Sequence, residues 1–163
     1  MSNLLIRGVR YDDVVQIAAI EKICFPAAEA AGQDSFAARI AAFPDSFFVA
    51  EFDGAIIGFI NGCATNSPVL YDELFHDATQ HLPDGENLTV FGLDVLPECR
   101  RQGIAARLMR HFIETARKNG KKRVLLTCKE ALVPYYASFG YKNDGLSAST
   151  HGGAEWFDMT LTL

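Results

Sequence analysis

Hydrophobic positions along the chain change repeatedly between the period of two that is typical of strands and the period of about 3.6 that is typical of helices. The runs with strand character are Leu4–Val9, Ser46–Phe52, Ala55–Cys63, Leu88–Leu96, Arg123–Cys128, Tyr141–Ser149 and Ala154–Leu161. The segments with helical spacing are Tyr11–Cys24, Ser35–Ala42, Ile104–Lys118 and Ala131–Phe139. This order predicts an α/β protein of the α+β type, in which helices flank a mixed, largely antiparallel central sheet.

Local signals predict where several of these elements begin and end. Asp53-Gly54 is a two-residue hairpin signal between two strands, and Gly152-Gly153 predicts the turn of a final hairpin. Ser35 has the chemistry of a helix N-cap, and Gly120 suits the position after the end of the helix at Ile104–Lys118. The segment Asn66–Glu86 is polar and predicts a loop with a turn of helix near its middle.

Composition narrows the class of protein. A chain of 163 residues with 49% hydrophobic and 21% charged residues predicts one globular domain over residues 1–163. The net charge of −5 argues against nucleic-acid binding, and no apolar run reaches the roughly 18 residues of a membrane span. The start of the chain lacks a secretory signal pattern, and the four cysteines form no CxxC pair. We therefore expect a cytoplasmic monomer or homodimer without a metal site.

The segment Arg100–Ala105 is the most informative for chemistry. It joins a predicted strand to the helix that begins at Ile104, and it combines two arginines with Gly103. The first N–H groups of a helix lack partners within the helix and favour a bound anion. Neither the Walker A pattern nor the dinucleotide fingerprint occurs, so NTP hydrolysis and hydride transfer lose their usual support.

A second motif, Tyr136-Ala-Ser-Phe-Gly140-Tyr141, follows about thirty residues later. Together with Arg100, Gly103 and Ala105, it resembles the paired motifs of the GNAT N-acetyltransferase superfamily. The segment Cys128–Tyr136 is similar to the corresponding part of arylalkylamine (serotonin-type) N-acetyltransferases, and the similarity extends from about Cys24 to the C-terminus.

The resemblance implies acetyl-CoA as cosubstrate and direct attack by an amine. Backbone N–H groups would hold the pyrophosphate, and two arginines would add positive charge. Backbone groups of the preceding strand would pair with the pantetheine arm, and Tyr136 would protonate the departing thiolate, while Tyr135 would be a core residue. The implied cofactor-binding residues are Leu93, Asp94, Val95, Arg100, Arg101, Gln102, Gly103, Ile104, Ala105 and Ala106.

The general base is where the sequence departs from the family. Arylalkylamine enzymes carry two histidines on the strand before the loop, and this chain has Thr89 and Phe91 at those positions. An alkylamine with a pKa near 10.4 is neutral in only about one molecule in 10³ at pH 7, so its proton has to be removed. The possible substitutes are Glu29, Asp34, His76, His81 or a file of water molecules along the strand.

The acceptor would lie between residues 25–35 and 66–86. Phe25, Pro26, Tyr71 and Phe91 would form an apolar wall, and nearby carboxylates would attract a cation. The carboxylates concerned are those of Glu29, Asp34, Asp72 and Glu73. An aromatic and acidic pocket suits a small primary amine, either an arylalkylamine or a polyamine. The alternatives are a protein N-terminal or lysine acetyltransferase and a non-catalytic acyl-CoA-binding module.

Overall fold

The computed structural model of the chain describes residues 3–163. Its strands are β1 (Leu4–Gly8), β2 (Phe47–Phe52), β3 (Ala55–Asn61), β4 (Ala64–Thr65), β5 (Asn87–Val90), β6 (Gly92–Val95), β7 (Arg123–Cys128), β8 (Lys142–Leu146) and β9 (Phe157–Thr162). Its helices are α1 (Val14–Cys24), α2 (Gln33–Ala42), α3 (Asp72–His76), α4 (Ile104–Lys118) and α5 (Val133–Ala137). The predicted class, with helices flanking a mixed sheet, is confirmed.

The strands form two sheets that diverge at Phe91. One sheet has the order β1-β2-β3-β6 and is antiparallel, and the other has the order β4-β5-β7-β9-β8 with β5 parallel to β7. The sequence predicts a single strand over Leu88–Leu96, but the structure divides it, because β5 pairs with β7 while β6 turns away to pair with β3. A gap therefore opens between β6 and the C-terminal end of β7.

Gly62 allows the two sheets to meet closely at this divergence. A Cβ atom at position 62 would overlap the carbonyl oxygen of Thr89, so no other residue fits without a backbone shift. Thr89 Oγ1 donates to the carbonyl oxygen of Cys63 at 3.0 Å and accepts from the Cys63 amide at 3.1 Å. Thr89 thus holds the junction of the sheets together.

Helices cover both faces of the first sheet. The predicted apolar stripe of α4 is buried against one face, with Leu108, Met109 and Phe112 fully enclosed. On the other face, α1 and α2 pack against alternate residues of β2 and β3, including Phe47 and Phe59. Both faces of these strands are therefore apolar, which makes the sheet a rigid platform between two layers of helix.

Some local predictions are wrong in position. Helix α2 begins at Gln33 with Gly32 as its N-cap, so Ser35 lies inside the first turn instead of capping it. The final two strands are joined by a long connection rather than by a tight turn. This connection contains a short 3₁₀ turn at His151–Gly153, and the Trp156 indole N–H donates to the His151 carbonyl oxygen at 2.9 Å. That bond holds the connection in a compact form.

Candidate active site

A cavity of about 270 Å³ occupies the gap between β6 and the end of β7 and extends beneath the connection between α1 and α2. Five separate segments contribute to its lining, within residues 21–29, 70–75, 90–93, 126–136 and 149–156. The four residues predicted as an apolar wall, Phe25, Pro26, Tyr71 and Phe91, all line it. A cavity at the point where two sheets diverge is a typical place for a ligand.

The loop before α4 presents a row of unused hydrogen-bond donors. Within residues 3–163, the backbone amides from Arg101 to Ala106 have no hydrogen-bond acceptor, and the first bond of the helix is from the Arg107 amide to the Gly103 carbonyl oxygen. Gly103 has φ 78° and Arg101 has φ 62°, so the loop is folded tightly enough to turn successive amides to one side. This arrangement can hold an anion of the size of a phosphate.

The two arginines of the loop are placed differently. Arg100 Nε donates to the carbonyl oxygen of Val95 at 3.0 Å, and its Nη2 lies 3.6 Å from Cys24 Sγ. Its guanidinium thus holds the end of β6. The sequence predicted that this side chain adds positive charge beside the pyrophosphate. Arg101 is exposed and makes no ion pair within the described part of the chain, so its charge is available to an anion.

The predicted residues of β6 have three different environments. Leu93 lines the cavity. The Val95 carbonyl oxygen is already used by Arg100 and by Cys24 Sγ, which lies 3.4 Å away. The side chain of Asp94 is buried at 1% exposure. The structure therefore brings Leu93 to the gap. The Val95 carbonyl oxygen is bonded within the chain, and the Asp94 side chain is buried.

Tyr136 lines the cavity from α5, on the side of β7. Burial raises the pKa of its phenol well above the usual value, and Cys128 and Tyr135 add to the effect. The prediction that Tyr135 is a core residue is wrong, because its side chain is 39% exposed on the outer side of the five-residue helix. Tyr141 is the buried aromatic instead, and its hydroxyl donates to Met109 Sδ at 3.3 Å.

Three segments are tied together over the acceptor end of the cavity. The buried Glu29 carboxylate accepts from Lys129 Nζ at 2.8 Å. The backbone carbonyl oxygen of Glu29 lies 2.8 Å from His151 Nε2. Asp72 accepts from Ser149 Oγ and from the Thr150 amide. These contacts connect residues 25–31, 70–76 and 147–156 into a roof, a name used below for these three segments. Side chains from all three segments of the roof line the cavity.

The carboxylates and histidines predicted near the acceptor divide into two groups. Glu29 and Asp72 line the cavity, whereas Asp34, Glu73, His76 and His81 do not. His81 Nδ1 accepts from the Ala64 amide at 3.0 Å, and burial lowers the pKa of its imidazole. The imidazole of His81 therefore supports the backbone at β4. It is not a candidate for the general base of the cavity.

A cluster of buried polar groups that we did not predict lies beneath the cavity, formed by Glu21, Asp94, Arg39 and Asn61. Arg39 donates to Asn61 Oδ1 at 3.0 Å and to the Phe75 carbonyl oxygen at 3.0 Å. Burial lowers the pKa of Arg39 to about 10, and burial together with nearby Glu21 raises the pKa of Asp94 well above its usual value. These residues form the floor cluster.

A weak signal for the floor cluster was present in the sequence. Asp94 is the one charged residue in the apolar run Leu88–Leu96. Glu21 is four residues after Ile17 on the buried side of α1, and Arg39 is three residues after Phe36 on the buried side of α2. Charges at positions that the helical period assigns to the core have to be paired or functional.

No helix within residues 3–163 is long and apolar enough to cross a bilayer. Within the same residues, no three side chains of His, Cys, Asp or Glu converge as metal ligands would.

Comparison with known sequences gives a family match and distant relatives. The model of the Acetyltransferase (GNAT) family matches residues 14–141. A Bacillus subtilis (strain 168) protein named "Probable hydrolase YhcX" is 30% identical over 76% of this chain and 26% of its own length. Serotonin N-acetyltransferase of Mesocricetus auratus is 29% identical over 68% of this chain and 53% of its own length. The chain thus spans between a quarter and about half of the length of these relatives.

Solved structures share the fold at low identity. The loading GNATL domain of CurA from Lyngbya majuscula superposes with a TM-score of 0.84 at 15% identity, over 98% of this chain and 97% of that domain. The structure of yncA from Salmonella typhimurium with its cofactor acetyl-CoA gives 0.73 at 18% identity, over 99% and 94%. The ribosomal-protein-S18-alanine N-acetyltransferase of Escherichia coli gives 0.73 at 20% identity, over 98% and 93%. With the family match over most of its length, the chain belongs to the acetyltransferase (GNAT) family.

Proposed function

We propose that this chain is an acetyl-CoA-dependent N-acetyltransferase that acts on a small primary amine. The observation that carries the proposal is the composition of the cavity between the two sheets. Leu93 and Tyr136 line it from β6 and α5, and Phe25 and Tyr71 line it from the roof. One cavity therefore offers adjoining places for a thioester and for an amine, which direct transfer requires.

The loop before α4 fits the pyrophosphate of acetyl-CoA. Its unpartnered amides from Arg101 to Ala106 and the exposed charge of Arg101 supply donors and positive potential at the N-terminus of a helix of 15 residues. Acetyl-CoA supplies the activated acetyl group as a thioester. A structural relative, yncA from Salmonella typhimurium, contains acetyl-CoA as its cofactor, which supports the same choice for this chain.

Tyr136 is suited to protonate the departing sulfur. Its raised pKa keeps the phenol protonated at neutral pH, so that the proton is present when the thiolate forms. A raised pKa also makes the phenol a weaker acid, but the same surroundings raise the pKa of a thiol beside it, so the difference between the two pKa values changes little. Tyr136 would therefore act late, after the acyl carbon has been attacked.

The roof favours a small acceptor over an extended peptide. Hydrogen bonds join three segments over the cavity, the ion pair of Glu29 with Lys129 anchors one of them to the end of β7, and Gly152 packs so tightly that a Cβ atom there would stand 2.5 Å from Glu29 Cγ. A protein N-terminus would need an open groove that admits several residues in extended form. The aromatic wall and the buried carboxylates suit an arylalkylamine or another amine with an apolar body.

A thiol-release assay with acetyl-CoA tests the proposal. The acceptors are arylalkylamines, polyamines, amino acids and short peptides, each at the same concentration. We expect release that depends on the amine and is fastest with an arylalkylamine. Tight binding of acetyl-CoA without release for any acceptor would instead favour a non-catalytic acyl-CoA-binding module, and release with peptides alone would favour a protein acetyltransferase.

A further inference from the structure

The floor cluster contains buried polar atoms that lack partners. With both acids ionised, both carboxyl oxygens of Asp94 lack a hydrogen-bond donor within residues 3–163, although the residue is 1% exposed, and only a proton shared with Glu21 gives one of them a partner. Asn61 Nδ2 is also buried without an acceptor. Unpaired buried groups of this kind each cost about 1–3 kcal/mol, so their retention calls for an explanation beyond folding.

These atoms converge on Gly92, in the floor of the cavity. A Cβ atom at Gly92 would stand 3.1 Å from Asp94 Oδ1, 3.8 Å from Glu21 Oε1 and 3.9 Å from Asn61 Nδ2. Glu21 and Gly92 line the cavity themselves, and Asp94 lies on the side of Gly92 where a side chain would project. The missing side chain therefore leaves an opening from the cavity towards the carboxyl pair.

The charged groups around the opening leave room for one further positive charge. Glu21 and Asp94 supply two carboxyl groups, and Arg39 supplies one fixed positive charge close by. Cys24 of α1 and Tyr136 of α5 are the other titratable groups near Asp94. Without a ligand, the cluster is neutral when the carboxyl pair retains one proton. With both carboxylates ionised, it has a net charge of −1 and matches a single ammonium group.

We propose that the carboxyl pair of Glu21 and Asp94, reached from the cavity over Gly92, binds the ammonium group of the acceptor and takes its proton. This inference rests on the proposed function, since it names the acceptor as a cationic amine and assigns the missing base. Glu21 is held for the role by the Ala31 amide, which donates to its Oε2 at 2.9 Å and leaves Oε1 for the ligand.

The step balances in protons and bonds. The ammonium nitrogen gives one proton to the Asp94 carboxylate, and its freed electron pair forms the C–N bond to the acetyl carbon. The C–S bond breaks, and the sulfur leaves with the phenolic proton of Tyr136. Tyr136 recovers a proton from the same nitrogen as it becomes an amide nitrogen, and Asp94 later releases its proton to solvent. The fold thus supplies the base that Thr89 and Phe91 do not.

Calorimetry with phenethylammonium tests the site without turnover. Titrations near pH 6 in buffers of different ionisation enthalpy, with and without coenzyme A, count the protons released on binding. We expect release of about one proton by the wild type, because ammonium binding ionises the carboxyl pair. Asp94→Asn should release none. The matched control is Asp158→Asn, which removes a half-buried carboxyl whose pKa is also raised by burial and which does not line the cavity. It should behave as the wild type.

Kinetics with two amines separates a base from a structural group. Near pH 7, Asp94→Asn should lower kcat/KM for phenethylamine about 100-fold, and the loss should shrink at alkaline pH as the amine deprotonates itself. Trifluoroethylamine, which is neutral at pH 7, should lose less than about threefold. Gly92→Ala keeps both carboxyl groups and closes the opening, so it should raise KM for phenethylamine with the affinity for acetyl-CoA unchanged.

The outcomes distinguish this proposal from the proposed function. Equal losses for both amines, or proton release by Asp94→Asn equal to that of the wild type, would overturn the role of the carboxyl pair. If the wild type acetylates amines and Asp94→Asn matches it, the carboxyl pair is not the base and the proposed function stands. If the wild type binds phenethylammonium with proton release and never transfers an acetyl group, the cation site stands and the proposed function fails.

Discussion

The proposed donor end, which is the loop before α4, and the proposed acceptor end, which is the part of the cavity at the roof, are built from different parts of the chain. At the donor end, backbone amides from Arg101 to Ala106 and one exposed arginine lie in a single short loop before α4. At the acceptor end, side chains from several separate segments form the aromatic wall, the roof and the floor cluster. The first is a local structure, and the second exists only after the fold is complete.

This difference explains why the loop indicates the cosubstrate, whereas the side chains of the cavity determine the acceptor. A backbone site needs small residues and a helix start at fixed spacing, and many side chains are compatible with it. A side-chain site depends on the individual residues at each position, so it changes the acceptor without disturbing the donor. Thr89 and Phe91 illustrate the second case, since one holds the sheet junction and the other forms part of the wall.

Gly62→Ala gives the largest expected effect, because it breaks the junction on which both ends depend. The new Cβ atom would meet the Thr89 carbonyl oxygen, and only a backbone shift relieves the overlap. We expect a loss of more than about 3 kcal/mol in the free energy of unfolding, measured by urea denaturation.

The control for this variant is Gly8→Ala in β1, where a Cβ atom meets nothing within 4 Å. It should stay within about 0.5 kcal/mol of the wild type. Equal stability of the two variants would show that the close approach of the two sheets is not needed.

Tyr136→Phe should separate chemistry from donor binding. We expect kcat to fall about 100-fold while the Kd of acetyl-CoA, measured by calorimetry, stays the same, because the ring remains and only the acid is lost. The matched control is Tyr135→Phe, which removes a phenol from the exposed neighbour on the same helix. An unchanged kcat for Tyr136→Phe would remove Tyr136 from the acid role.

Lys129→Met tests the roof at the acceptor end. The substitution leaves the buried Glu29 carboxylate without its cation, so the roof should loosen. We expect KM for the amine to rise about tenfold, equivalent to ~1.4 kcal/mol, with the Kd of acetyl-CoA unchanged. Lys142→Met, at an exposed position in β8, is the control. A parallel rise in both constants would mean that the two ends are not independent.

Arg101→Ala should give the smallest effect. Removal of one exposed charge from the loop should weaken acetyl-CoA binding by about fivefold at low salt, since exposed ion pairs contribute up to about 1 kcal/mol. The difference should shrink at high salt because of screening. Arg117→Ala, at the opposite end of α4, serves as the control. A salt-independent loss would argue that Arg101 shapes the loop and does not act through its charge.

The fold was largely predictable because its signals are local. Helix α4 and the strand at Arg123–Cys128 have the predicted bounds, since the helix has a strongly periodic apolar stripe and the strand is a short apolar run between charged residues. The division at Phe91 was not predictable, because a continuous apolar run gives no sign of which neighbour each half will pair with. The N-cap of α2 was missed because glycine caps a helix with its backbone and shows no side-chain signal.

The candidate site was predictable only in part, and for a physical reason. The loop, Tyr136 and the aromatic wall were named from motifs and from the order of the elements. The floor cluster joins Glu21, Arg39 and Asp94, which are far apart in the chain, and burial alone gives them a chemical role. His151 and Trp156 were also missed, because the long connection that brings them to the cavity reads as a short hairpin turn.

A competition assay tests the central claim most directly. The protein is incubated with limiting acetyl-CoA and equal concentrations of phenethylamine and a short peptide with a free N-terminus, and both acetylated products are counted by mass spectrometry. The closed roof and the floor cluster predict that acetylated phenethylamine exceeds acetylated peptide by at least about tenfold. Peptide acetylated as fast as the amine, or no acetylated product of either kind, would contradict the account.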